Sequence, residues 1–268
     1  MKKFFQRHMK AEGGVEQNVL VEASEKKDWL LPASILIAAL LISGSLVYNA
    51  GKTSSDKPND NGNVAANNNE GIPSVANMQP ITSGDYIRGN RDAKIKIVEY
   101  SDLECPFCKT FHNTLKQVLN IYGNDVAWVY RNAPIDQLHP KARNEAEALE
   151  CAGDIGGNDK FWAYMDRLME LTPSNNGLDP AQLPKIAEYV GLDRSKFDSC
   201  FASGKFAQKI QSQFDNAVQS GFQGTPFSVL VVNNVPSAPI SGALPFAGLL
   251  PGGQKNLKQI LDEAVSKL

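Results

Sequence analysis

Two cysteines separated by two residues, Cys105-Pro106-Phe107-Cys108, offer the most chemistry in this chain. A thiolate attacks disulfides and binds metals, so such a pair can exchange disulfides, form half of a zinc site or carry haem. Zinc would need a second close pair of ligands. His112 follows Cys108 by four residues, but no fourth ligand is evident. Covalent haem attachment needs a histidine directly after the second cysteine, and Lys109 stands there. Dithiol–disulfide exchange is the leading reading, beside a purely structural bridge, which is geometrically tight at this spacing.

The pair needs a rigid seat. Residues 94–100 (KIKIVEY) alternate and then turn apolar, as a strand does. Residues 105–122 follow with Phe107, Phe111, Leu115, Val118, Leu119 and Tyr122 at helical spacing, and Gly123 is suited to end the helix. Residues 125–130 (DVAWVY) read as a second strand, completing a βαβ unit with the cysteines where strand meets helix. A helix N-terminus favours negative charge, so Cys105 is the expected attacking sulfur and Cys108, one turn inward, the resolving one. Pro106 suits the first helical position. Glu104 is expected to be exposed and weakly coupled to Cys105. His139, just before Pro140, is expected to cap or pack.

Beyond Pro140 the pattern is helical to about residue 221: a helix to about 155, one capped by Asn158 and running to 171, then others near 180–190, 194–203 and 205–220. Residues 227–232 (FSVLVV) read as a strand, 239–243 as a short one, and 255–267 as an amphipathic terminal helix.

Further upstream, residues 29–48 form an uncharged 20-residue run. As a helix this run spans roughly 30 Å, the depth of a bilayer core. It is too long for the apolar part of an ordinary cleavable signal, although small residues near Ser43 keep cleavage open. Lys2, Lys3, Arg7, Lys10, Lys26 and Lys27 precede it, and only Lys52 and Lys57 follow within 30 residues. That asymmetry predicts a cytoplasmic tail (1–28), a signal anchor (29–48) and an extracytoplasmic remainder at the cell membrane. Residues 49–80 are rich in Asn, with seven between 51 and 80, and lack aromatic side chains, which predicts a disordered tether. Residues 81–268 form the folded domain. The chain's net charge of −2 carries no basic excess that would point to nucleic acid.

The stretch KIKIVEYSDLECPFCKTF resembles the active-site segment of the DsbA-like thiol:disulfide oxidoreductases, a branch of the thioredoxin-fold superfamily. Gly224-Thr225-Pro226-Phe227 resembles the family's cis-proline loop, APIDQLHPKARNEAEALECAG the start of its inserted helical domain, and PISGALPF its last strand. The resemblance spans about 81–268. It implies an α/β thioredoxin fold with a helical insert at about 139–223, and Cys105 and Cys108 as the redox disulfide. It also implies a cis Pro226, Thr225 backbone pairing with substrate peptide, and Glu99 as a buried acid that relays protons. Cys151 and Cys200 lie on separate predicted helices. The resemblance favours a second, structural disulfide there, and two buried free thiols are the alternative.

By resemblance the activity is oxidative disulfide formation in reduced or misoxidised extracytoplasmic proteins. A quinone-linked membrane partner of the DsbB or vitamin-K-epoxide-reductase kind would reoxidise the pair. No metal or organic cofactor is implied. The same site could instead serve a disulfide reductase or isomerase, or a peptide-binding or metallochaperone module without turnover.

Overall fold

The computed structural model describes residues 74–268. The expected tail, membrane span and most of the tether lie outside the described residues. Among the described residues no helix is long and apolar enough to cross a membrane.

Five strands form one sheet: β1 (Tyr86–Arg88), β2 (Ile95–Ser101), β3 (Val126–Asn132), β4 (Phe227–Val232) and β5 (Val235–Ser241), in the order β1-β3-β2-β4-β5. β2 and β3 run parallel, joined by the helix α1 (Pro106–Tyr122), and the other pairings are antiparallel. Every residue of β2 and β3 is buried, as expected for central strands covered on both faces. β4 and β5 join through Asn233 and Asn234, both at positive φ, which suits a tight two-residue hairpin. Edge strand β5 carries Pro236 and Pro239, which an edge tolerates.

Side chains alternate along β2. Ile95 and Ile97 join a cluster with Phe111, Leu115 and Val118 of α1, with Trp128 of β3, and with Leu257 and Leu261 of the last helix, α6 (Leu257–Val265). Val98 and Tyr100 face the other way, toward Ala217 of α5 (Ala207–Gln219) and Met78. Between β3 and β4 stand four helices: α2 (Ala142–Leu171), α3 (Gln182–Tyr189), α4 (Arg194–Ser203) and α5. They form the insert, whose larger helices pack Leu149, Phe161, Tyr164, Met165 and Phe197 into the first cluster.

The structure bears out one expectation here and corrects two. The helices expected on either side of Asn158 are both present, run together as α2 and separated by non-helical backbone at Gly157 (φ 72°). Asn158 does not cap a helix. Its amide donates to and accepts from the Ile87 backbone, 2.9 Å each way, which fastens the three-residue strand β1. Residues 74–80, expected within the disordered tether, are ordered by hydrogen bonds and by one buried side chain. Buried Arg131 donates to the carbonyls of Gln79 and Pro80 at 3.0 Å each, and Met78 is 6% exposed.

Candidate active site

β2 ends at Ser101 and α1 begins at Pro106, so the cysteine pair sits where a buried strand turns into a helix. Cys105 is the N-cap residue and Pro106 occupies the first helical position, where its missing N–H is no loss. Both cysteines are free thiols, and Cys108 is fully enclosed while Cys105 is 5% exposed. The Cys105 thiol is drawn down to about 6. The Cys108 thiol beside it is the largest cause, with Thr225 and the backbone N–H groups of Cys108 and Phe107 adding to it, against the opposing effect of burial. Cys108 is pushed well above the usual thiol range, first by burial and then by its neighbour Cys105. One sulfur is thus prepared as a nucleophile or leaving thiolate, and the other holds its proton.

Two groups face Cys108 or its surroundings from β2 and the loop after it. Glu99 lies on the same face of β2 as Ile95 and Ile97, the face that α1 covers, and is 1% exposed. Burial pushes its carboxyl up to about 8, against the Trp128 indole N–H that donates to Oε2 at 2.9 Å. Glu99 also raises the Cys108 thiol through its charge. The Asp102 backbone N–H donates to Cys108 Sγ at 3.5 Å. Asp102 is a residue the sequence reading missed. Its Oδ1 accepts the Glu104 N–H at 2.8 Å, an Asx turn directly ahead of the helix, and that turn chemistry was the available signal.

The loop before β4 closes the site. The Thr225-Pro226 peptide is cis, and Cys105 Sγ–H donates to the Thr225 carbonyl at 3.5 Å. Cys105, Cys108, Glu99, Thr225 and Pro226 are therefore brought together from three separate stretches of chain. Cys151 and Cys200 stand apart from them. They form a disulfide that ties α2 to α4 across 49 residues.

Two further placements differ from expectation. Glu104 is wholly buried, not exposed, and its carboxyl meets that of Glu145 on the first turn of α2, which is pushed up to about 10 by burial and by Glu104. Phe107, expected on the buried stripe of α1, is 65% exposed, because it lies on the first turn, ahead of Phe111, which reaches the core. His112 is enclosed, with Nε2 2.8 Å from Asp166, which Arg88 grips with both guanidinium nitrogens. Among the described residues no group of three or more His, Cys, Asp or Glu side chains is arranged to hold a metal.

The sequence model of the thioredoxin family matches residues 82–239, more than half of the chain. Among curated proteins, the Na(+)/H(+) antiporter NhaA 1 of Salinispora arenicola is 36% identical over 142 residues, covering 53% of this chain and 21% of that protein. The chain thus spans about a fifth of that relative's length. Among solved structures, DsbA2 of Pseudomonas aeruginosa is 26% identical with a TM-score of 0.57, covering 70% of this chain and 96% of that one. BdbD of Bacillus subtilis, in its oxidised form, shares the fold at 22% identity and a TM-score of 0.52, covering 59% and 88%. Family match and shared arrangement of core and insert agree: the chain belongs to the thioredoxin family, in its DsbA-like group of thiol-disulfide oxidoreductases.

Proposed function

We propose that the protein forms disulfides in extracytoplasmic proteins, held at the cell membrane by its N-terminal span with the domain outside. The observation that carries the oxidising direction is the unequal pair, Cys105 drawn down to about 6 beside a Cys108 raised well above its usual range. A stabilised Cys105 thiolate favours the reduced form of the enzyme. A pair whose reduced form is stabilised is a strong oxidant. The Cys151–Cys200 bridge is in keeping with a compartment where disulfides persist.

In the reaction the enzyme starts as the Cys105–Cys108 disulfide. A substrate thiolate attacks Cys105 Sγ, the enzyme's S–S bond breaks, and its electron pair leaves on Cys108 Sγ. Glu99, still holding its proton below about pH 8, is the nearby acid that returns a proton to Cys108. A second substrate thiol, losing its proton to solvent, attacks the substrate sulfur of the mixed disulfide, and Cys105 leaves as a thiolate. The substrate loses two electrons and the enzyme gains them. Phe107, exposed beside Cys105, and the Thr225 backbone give an unfolded chain an apolar and a hydrogen-bonding foothold. A quinone-linked membrane protein of the DsbB or vitamin-K-epoxide-reductase kind would take the electrons away.

The test is the redox potential of the full-length protein against glutathione, together with its oxidation of a reduced test protein. A potential well above that of thioredoxin, about −270 mV, is expected. A value near thioredoxin's would sink the oxidising reading in favour of a reductase. No exchange at all would favour a binding module.

A further inference from the structure

Asp102 and His139 form a buried pair that the exchange steps above leave unused. Asp102 stands in the loop from β2 to α1, and His139 in the loop from β3 to α2; they are 1% and 7% exposed. Asp102 Oδ2 accepts the Ile135 N–H at 2.8 Å and His139 Nδ1 at 3.0 Å. A carboxylate oxygen only accepts, so Nδ1 is the donor. Oδ1 is filled by the Glu104 N–H, and the Asp102 carbonyl accepts the Cys105 N–H at 3.1 Å. The backbone that carries the imidazole is itself held in place, since the His139 N–H donates to Ile135 O at 2.8 Å and the His139 carbonyl accepts the Ala142 N–H at 3.0 Å. Every polar atom of Asp102 is therefore committed, and its one remaining donor, the backbone N–H, points at Cys108 Sγ.

We propose that Asp102 and His139 are positioning residues for the Cys108 sulfur: by fastening the loop ahead of α1 to the loop ahead of α2, they keep the Asp102 N–H aimed at Sγ. The inference rests on the exchange reading, in which Cys108 departs with the electron pair of the broken S–S bond. A donor already aimed at the sulfur where charge develops stabilises it without reorganisation. A backbone N–H cannot be removed by substitution, so the side chains that aim it are the places to test. The other acids near this loop, Glu104 and Glu145, meet each other and make no hydrogen bond to either sulfur.

The test uses the full-length protein and the variants Asp102→Asn, His139→Leu and His139→Gln. Two quantities are read: the equilibrium of the Cys105–Cys108 pair with glutathione, and the rate at which reduced glutathione opens the Cys105–Cys108 disulfide. Asp102→Asn and His139→Leu should shift the equilibrium about fivefold toward the disulfide and slow the opening by a similar factor, the scale of one lost hydrogen bond. His139→Gln keeps an N–H donor and should recover part of both. Variants that match the parent in equilibrium and rate, and differ only in melting temperature, would overturn the proposal. Should Asp102→Asn or His139→Leu fail to fold, His139→Gln decides, with a shift smaller than fivefold but measurable expected and none overturning it. The two readings fail separately. A parent that equilibrates with glutathione yet oxidises no protein thiols sinks the oxidising function, while an unmoved equilibrium in the variants sinks only the positioning role.

Discussion

One domain carries two cysteine pairs, and their surroundings assign them opposite work. Cys105 and Cys108 sit at the N-terminus of α1 with donors from Asp102, Phe107 and Cys108 and a buried carboxyl nearby. Cys151 and Cys200 lie in the apolar cluster of the insert and join α2 to α4. Cysteine chemistry is common to both. The first pair differs in having polar groups that stabilise a thiolate on one sulfur and withhold it from the other. The second closes a long loop and so limits the unfolded chain, a matter of entropy rather than reactivity. Reactivity here comes from the strand–helix junction, and bracing from the distance along the chain.

The sharpest way to break this comparison is to disable each pair in turn. Cys105→Ser should abolish oxidation of a reduced test protein while leaving the circular dichroism spectrum intact. Residual turnover would place the sulfur that substrate attacks elsewhere. Replacing Cys151 and Cys200 together by alanine should do the reverse. Closing a 49-residue loop contributes about 4 kcal/mol in the chain-entropy account, so urea unfolding should show a loss of that order. Exchange by the folded variant at 25 °C should stay near the parent's rate. A variant that is stable but slow in exchange would show that the brace reaches the working pair.

Much of this division is legible in the sequence because it is local. The strand before the cysteines, Pro106 at the helix start and Gly123 at its end are short-range signals, and the observed β2 and α1 fall within a residue or so of the expected bounds. Long-range partners are what hide. Glu104 looks exposed beside Cys105 because nothing nearby in sequence announces Glu145, which meets it from another helix. Residues 74–80 read as tether by composition, yet Arg131 on β3 and Asn216 on α5 supply the hydrogen bonds that order them. Asn158 has the chemistry of a cap, and tertiary structure spends that chemistry on the backbone of β1. Of the candidate site, Cys105, Cys108, Glu99, Thr225 and Pro226 were identified through a motif and a resemblance. Asp102 signals by its type only the Asx turn ahead of α1, while the partners that tie it to the site, Cys108 Sγ and His139, reach it through the fold.

A smaller effect separates the working pair's two supports. Glu99→Gln removes the acid but keeps a hydrogen-bonding side chain. At pH 7 the oxidation rate should fall about tenfold, at the low end of what a positioned acid contributes. The parent's rate should decline as pH rises past about 8, where Glu99 loses its proton, and the variant's should not share that decline. In stability the variant gains instead. A carboxyl whose folded value is raised favours the folded state below its unfolded value of about 4.5 and loses that advantage as pH rises through about 8. Glu99→Gln should therefore be more stable than the parent above pH 8, with the two converging below pH 4.5. A variant no more stable at pH 9 than the parent would mean that Glu99 is not desolvated as its burial implies.

The smallest effect tells the two pairs apart by pH alone. The folded Cys105 thiol ionises near 6 and the unfolded one near 9, so between those values the unfolded chain binds more protons. Stability of the reduced protein from this group is then fully present above about pH 9, and it is lost as pH falls through about 6. Because the Cys108 thiol, the largest cause of the shift, moves the opposite way and offsets much of it, the total is on the order of 1 kcal/mol. Because Glu99 contributes the opposite slope over part of the same range, the quantity to read is the difference between reduced parent and reduced Cys105→Ser in urea unfolding at pH 5, 7 and 9. That difference should grow with pH. The same subtraction between the parent and the Cys151, Cys200 double variant should stay flat, because a closed disulfide binds no proton in either state. A sloping second difference would mean that the brace is electrostatically joined to the working pair, and the separation of roles would fail at its weakest point.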